Sequence, residues 1–338
     1  MCEYNNYGIF RWNENNLLCD NENNTYTDVY LHTGTIKKGE WENPICIQKT
    51  LNKVISNSNH FLHGCEWGTG YNSCYKIFDN LVRNYLDIIN IEEQNINCVL
   101  YDENVYFYML DAFAFSNSGH NLSTCLDMVK YILKNNIKNI LIFKNYKNTH
   151  NFKLIQMLMP LDCNFIELNE NSIYKIKNIV IKIPIFFDIT KHSDLITNLK
   201  NKIIDNYSEI YNDCKNKNII LMKTNRNKNV MLEHTRINCE PFIVMLEEQE
   251  FINLIPEEID IFKLCIYIMY ANKIIFSNGS VIYTNKIFIN ENTKLFGFVY
   301  NERIPGCYKG LQNITYLNYS NQNLTDEECS FFYNTITN

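Results

Sequence analysis

From about Leu81 onward, short apolar runs alternate with helical patterns along the chain. Asn97-Cys98-Val99-Leu100-Tyr101 and Tyr106-Phe107-Tyr108-Met109-Leu110 predict two strands. Leu122, Cys125, Leu126, Val129 and Leu133 then recur three and four positions apart, the spacing of an amphipathic helix. Ile140-Leu141-Ile142-Phe143 predicts a buried strand, Phe152 to Leu158 a helix, Phe165-Ile166-Glu167-Leu168 a strand, and Ile179 to Ile185 another. A further helix opens at the cap candidate Ser193-Asp194, with Leu195, Leu199, Ile203 and Ile210 on one face.

The second half alternates more cleanly. Strand Ile219-Ile220-Leu221-Met222 precedes a helix from about Pro241 to Glu250, a short strand at Phe251 to Ile255 and a buried helix from Ile261 to Tyr270. Strand Ile274-Ile275-Phe276, a helix starting near Ser280 and strand Leu295 to Tyr300 complete the series. A last helix, Thr325 to Thr335, begins with Thr325-Asp326-Glu327-Glu328, acidic as a first helical turn prefers. Such alternation, twice over, predicts an α/β protein of two domains with mostly parallel sheets. The join is expected between Ser193 and Lys217, which gives domains at 1–200 and 201–300. Residues 301–338 are expected to form a tail whose helix returns to the first domain. The first sixty residues are polar and Asn-rich, with one strand candidate around Val29-Tyr30-Leu31-His32.

Composition narrows the function classes. A chain of 338 residues exceeds one ordinary core, and 14% aromatic content excludes a disordered tail protein. A formal charge of -6 argues against nucleic-acid binding through a broad basic surface. Asn, Ile, Lys and Tyr are abundant while Ala and Arg are scarce, the imprint of an A+T-rich genome such as that of a large DNA virus. Family motifs are then read with Lys in place of Arg and Ile in place of Val. The 13 cysteines form no framework and predict free thiols in a reducing compartment. Met1-Cys2-Glu3-Tyr4-Asn5-Asn6 has neither a basic flank nor an apolar run, and no apolar stretch reaches the ~18 residues of a membrane span. A soluble, cytoplasmic protein is the expectation.

Candidate chemistry concentrates at one turn. Strand Lys273 to Phe276 runs into Ser277-Asn278-Gly279-Ser280, with a helix expected next. A glycine there lets the backbone turn tightly, and the exposed N–H groups of the following helix end suit an anion such as phosphate. Neither G-x-G-x-x-G nor G-x-x-x-x-G-K-[ST] occurs, so dinucleotide and P-loop readings fail on their own motifs. His60-x-x-His63-x-Cys65 has zinc-ligand residue types but no second pair, and a metal-free reading is preferred. No D-x-D triplet occurs either.

The segment from Asn218 to Phe298 resembles the C-terminal half of glycosyltransferase family 61, which holds plant xylosyl- and arabinosyltransferases and protein O-linked N-acetylglucosaminyltransferases. The resemblance rests on Ile220-Leu221-Met222-Lys223, Arg236-Ile237-Asn238, Glu250-Phe251, Pro256-Glu257, the helix Ile261 to Tyr270, Ser277-Asn278-Gly279-Ser280 and Thr284-Asn285, in that order. Three departures stand out: Lys223 replaces the family's strand-end Arg, Asn278 replaces its His, and the loop to Thr284-Asn285 is one residue longer. In the first domain, Asn117-Ser118-Gly119-His120 resembles the family's Asn-x-x-His. The family's acid, four residues on, falls at Thr124, with Asp127 close by. A rival match, Asn72-Ser73-Cys74-Tyr75 with Asp79 and Arg83, keeps the acid but replaces the His by Tyr.

The resemblance implies two Rossmann-like domains in the glycosyltransferase-B architecture, acceptor on the first and donor on the second. The implied reaction is inverting, metal-independent transfer from a nucleotide sugar, a UDP-sugar by preference, to a glycan or protein hydroxyl. No cofactor is implied beyond that donor. Lys223, Arg226, Asn278, Gly279, Ser280, Thr284 and Asn285 are the implied donor-binding residues, and His120 or Asp127 the implied base. The alternative is a non-catalytic relative kept as a binding or structural protein.

Overall fold

The computed structural model describes residues 9–13, 16–20, 24–32, 36–37, 40–41, 45–48, 53–57, 99–108, 118–143, 147–169, 173–181, 192–222, 224, 237–256, 258–277, 286–304, 308 and 311–338. The chain divides into two units. One comprises Met1–Ser116, Ser123–Ile155 and Met159–Asp188; the other comprises Asn117–Leu122, Gln156–Leu158 and Ile189–Asn338.

The first unit is built on a nine-stranded mixed sheet. Its strands are β1 (Ile9–Asn13), β2 (Asn16–Asp20), β3 (Asn24–His32), β6 (Ile45–Gln48), β7 (Lys53–Asn57), β8 (Val99–Tyr108), β9 (Asn139–Phe143), β10 (Asn164–Leu168) and β11 (Ile173–Ile181), while β4 (Ile36–Lys37) and β5 (Glu40–Trp41) form a separate ribbon. The order is β10-β9-β8-β11-β3-β6-β7-β1-β2. Strands β10 through β11 pair in parallel, and every pairing from β11·β3 to β1·β2 is antiparallel. The expectation of mostly parallel strands therefore holds for only part of this sheet. The two strands expected at 97–101 and 106–110 are one strand, β8. The polar Asp102-Glu103-Asn104 is absorbed where the pairing with β11 shifts register, between Tyr101 and Val105.

Helix α1 (Ser118–Lys134) covers the spacing read from Leu122 to Leu133, with Cys125, Leu126, Met128, Val129 and Ile132 buried. Helix α2 (His150–Leu158) buries Phe152, Leu154, Ile155 and Leu158. Strand β11 begins at Ile173, earlier than expected, because Tyr174 and Ile176 alternate with lysines and are buried.

In the second unit α3 (Ser193–Asn206) and α4 (Tyr211–Cys214) lead into β12 (Asn218–Leu221), α5 (Glu240–Glu247), β13 (Phe251–Asn253), α6 (Ile261–Tyr270), β14 (Lys273–Phe276), β15 (Lys294–Tyr300), β16 (Ile314–Tyr319) and α7 (Asp326–Thr337). The residue capping α3 is His192, not Ser193, and Ile210 lies beyond the helix in a separate 3-10 turn. All pairings of this five-stranded sheet are parallel, in the order β13-β12-β14-β15-β16. Numbered within the unit, that is the order 2-1-3-4-5 of doubly wound sheets.

Ile220, Ile275, Phe296, Phe298 and Leu317 share one core cluster with Phe242 and Leu246 of α5 and with Cys329, Phe332 and Ile336 of α7. Ile219 and Ile274, on the opposite face by strand alternation, are as deeply buried, so both faces of the sheet are covered. Helix α6 is apolar at every position but Lys263, as fits a helix buried along most of its length, and it packs with α3 and α4. Tyr207 stacks on Phe262 there at 4.7 Å and 20°. The C-terminal helix was expected to return to the first domain. Its apolar face instead completes the second core, where Phe332 meets Phe298 at 5.3 Å and Phe242 at 6.4 Å.

Candidate functional site at the carboxyl edge of the second sheet

In an open parallel sheet, ligands bind outside the carboxyl ends of the strands where the strand order reverses. Here β12 feeds α5 toward β13 on one side and has β14 on its other side, so the reversal falls between β12 and β14. The register pairs Leu221 with Phe276, the last residues of those two strands. Lys223 and Asn278 each stand two positions beyond that pair in sequence. The two segments that follow these strands, far apart in the chain, thus begin on neighbouring strands.

Polar groups mark this edge among the described residues. Thr224 is 3% exposed and Ser277 is 5% exposed, and they follow β12 and β14 respectively. Met222, also buried, separates Leu221 from Lys223. Thr224 was not singled out from sequence, and Ser277 was read as the start of the turn but not as a donor-binding residue; the available signal was a small hydroxyl residue at each strand end. Lys223, Arg226, Asn278, Gly279, Ser280, Thr284, Asn285 and the helix expected near Ser280 lie outside the described residues, as do His60, His63, Cys65 and the rival set Asn72 to Arg83.

Among the described residues, the helices that follow β12, β13 and β16 start on this edge of a parallel sheet, and two of those starts are closed by their own sequence. Asp260 accepts hydrogen bonds from the Phe262 and Lys263 N–H groups at 3.0 and 3.3 Å at the start of α6. Thr325 and Glu328 form a reciprocal capping box on α7. Helix α5 has Cys239 at its cap position, with no side-chain cap, and Pro241 in its first turn. The segment entering α5 is tied to the one entering α7: Asn238 N–H donates to Gln322 O at 2.7 Å, Leu324 N–H to Asn238 O at 3.2 Å, and Asn238 Nδ2 to Asn323 Oδ1 at 2.9 Å. That tether fixes the far end of the segment that begins at Lys223.

Helix α1 carries His120 and Asp127. Of the described side chains on this helix, Cys125, Leu126, Met128, Val129 and Ile132 are buried.

The opposite, amino-terminal edge of the second sheet holds two open concavities of about 470 and 780 Å³ that share Lys273, Asn292 and Lys294. Lys273 Nζ donates to Ile336 O at 2.6 Å, closing the carboxyl end of α7. Burial, and then the neighbouring Lys294 charge, hold the Lys273 ammonium below the ordinary lysine value. Lys273 serves the helix end, so these concavities are assigned a structural role. Among the described residues no three His, Cys, Asp or Glu side chains converge as metal ligands would. No described helix is long and apolar enough to cross a membrane.

No family model matches the chain, and no curated protein matches it either.

Proposed function

We propose that the second unit binds a nucleoside-diphosphate sugar at the carboxyl edge of β12 and β14, and that the protein is an inverting, metal-independent glycosyltransferase of the family 61 type with two Rossmann-like domains. The observation that carries this reading is the strand order. It makes β12 and β14 neighbours at the reversal point, and the chain leaving them carries Lys223 and Asn278-Gly279-Ser280. A positive charge and backbone N–H donors suit the departing diphosphate, whose charge grows as the sugar–oxygen bond breaks. In this reading Lys223 and Arg226 neutralise the diphosphate, Asn278 to Ser280 donate to it, and Thr284 and Asn285 complete the donor set. His120, or failing it Asp127, takes the proton from the acceptor hydroxyl of a glycan or protein. Attack opposite the leaving group inverts the anomeric carbon. General-base assistance of this kind contributes about 10²–10⁴-fold.

Asn278 favours a second reading. An amide can donate a hydrogen bond to phosphate but cannot carry the charge of the imidazolium that the family pattern has there. On that reading the protein binds the donor without turning it over.

Titration with UDP-sugars, paired with a donor-hydrolysis assay, separates the two. An active transferase binds and slowly leaks sugar to water, and Lys223→Ala weakens binding. His120→Ala spares binding and lowers turnover about 10²-fold or more. Binding without leakage selects the second reading. Wild type that binds no nucleotide sugar overturns both.

A further inference from the structure

The carboxyl rim of β15 carries a feature that the donor-site reading does not use. β15 outruns its neighbour: Phe276 closes β14 opposite Gly297, while β15 continues through Phe298 and Val299 to Tyr300. The chain then reverses within two residues. Arg303 N–H donates to Tyr300 O at 3.0 Å, and both Asn301 and Glu302 have positive φ, 47° and 60°. That is the I′ geometry, whose usual residues are Asn-Gly. Asn301 fits it, whereas Glu302 holds a left-handed conformation that a side chain disfavours. The turn is nonetheless pinned, since Asn301 N–H donates to Tyr319 O at 3.0 Å and Glu302 N–H to Asn318 Oδ1 at 2.7 Å.

The result is a fixed, outward-facing pair. Tyr300 is 47% exposed and Arg303, paired to it across the turn, is also exposed. Behind Tyr300 stands Tyr319, its register partner on β16, with ring centroids 5.4 Å apart and planes inclined by 58°. Tyr319 in turn contacts Phe298 of the core at 6.0 Å. Core packing thus backs the Tyr300 ring from one side and leaves the other accessible. β15 lies two strands from β12 across β14, roughly 10 Å at ordinary strand spacing, on the edge where the diphosphate is placed above.

We infer that Tyr300 stacks the base of the bound nucleoside diphosphate and that Arg303 donates to the base's polar edge, making this turn the nucleoside-recognition element. The inference rests on the donor-site reading and assigns the part of the donor that reading leaves open. A backed aromatic ring beside a guanidinium suits a planar π-system rimmed with hydrogen-bond acceptors.

The test is calorimetric titration of UDP, GDP and inorganic pyrophosphate into wild type, Tyr300→Ala, Tyr300→Phe, Arg303→Gln and Lys223→Ala, with circular dichroism to verify folding. Tyr300→Ala should weaken the preferred nucleoside diphosphate at least tenfold while leaving pyrophosphate unchanged. Tyr300→Phe should retain wild-type affinity, because the ring and not the hydroxyl does the stacking. Arg303→Gln should narrow the difference between UDP and GDP. If Lys223→Ala weakens UDP but Tyr300→Ala does not, this inference fails and the donor site stands. Equal losses of UDP and pyrophosphate in Tyr300→Ala would also overturn it, since the ring would then act on the whole edge. Wild type that binds none of the three ligands removes both readings.

Discussion

A methyl group at Gly297 would lie 2.9 Å from Ile314 Cδ1, 3.0 Å from Tyr308 Cε2 and 3.2 Å from Phe276 Cε2. Tyr308 has little room to yield: its ring meets Phe276 edge-on at 5.0 Å, and its hydroxyl donates to Phe298 O at 2.8 Å. Gly297→Ala should therefore cost about 1–3 kcal/mol in urea denaturation, as overpacking does. Glu302→Gly should act in the other direction. Removing the side chain from φ 60° relieves a left-handed conformation, and the same measurement should show a gain of about 1 kcal/mol. At this scale sequence was informative about chemistry and silent about place. Strand β14 was legible because the apolar run Ile274-Ile275-Phe276 is a local signal. That β12 and β14 are neighbours was not, because strand adjacency is decided by sheet order, which no local pattern encodes.

Helix α6 shows what made an element legible. Its apolar run from Ile261 to Tyr270 is bounded by a capping Asp260, and the structure places both ends where the pattern did. Strand β16 shows the converse. Ile314 to Tyr319 mixes Thr315 and Asn318 with apolar residues, and only Leu317 is buried, so an edge strand of this kind leaves no clean alternation. The start of α7 was read correctly from its acidic turn, but its destination was not, since an amphipathic face does not name the surface it covers. Two substitutions measure how α7 is held. Thr325→Ala removes the capping box and should cost about 1 kcal/mol. Phe332→Ala empties a site wedged between Phe242 and Phe298 and should cost about 3–5 kcal/mol. Denaturant midpoints of the two variants should differ in that order.

For the whole molecule, alternation of strands and helices predicted an α/β protein, and mixed α/β architecture with parallel pairing is what forms. The antiparallel part of the first sheet was hidden because its strands are short, mostly apolar runs, such as Ile9–Asn13 and Ile45–Gln48, set among Asn-rich stretches. The described thiols Cys163, Cys214, Cys265 and Cys329 are free, and burial pushes Cys265 well above the ordinary thiol value. Burial likewise raises the hydroxyls of Tyr207, Tyr267, Tyr270 and Tyr319 above the ordinary value of 10.0. Groups raised in the folded state hold their protons more tightly than in the unfolded chain. Their contribution is complete below the ordinary tyrosine value and is lost as pH rises through the raised ones. Urea midpoints should accordingly fall above about pH 10, and Tyr319→Phe should flatten part of that fall. A midpoint constant to still higher pH would contradict the burial of these hydroxyls.

The central claim is that the carboxyl edge of the second sheet, and not the concavities at its amino-terminal edge, takes a nucleoside diphosphate. Amide chemical-shift mapping of a UDP titration tests it most directly. The account predicts shifts that saturate together at Thr224, Ser277, Tyr300 and Arg303, with Lys273, Asn292 and Lys294 unmoved. Shifts confined to Lys273, Asn292 and Lys294, or no saturable shift anywhere, would contradict it.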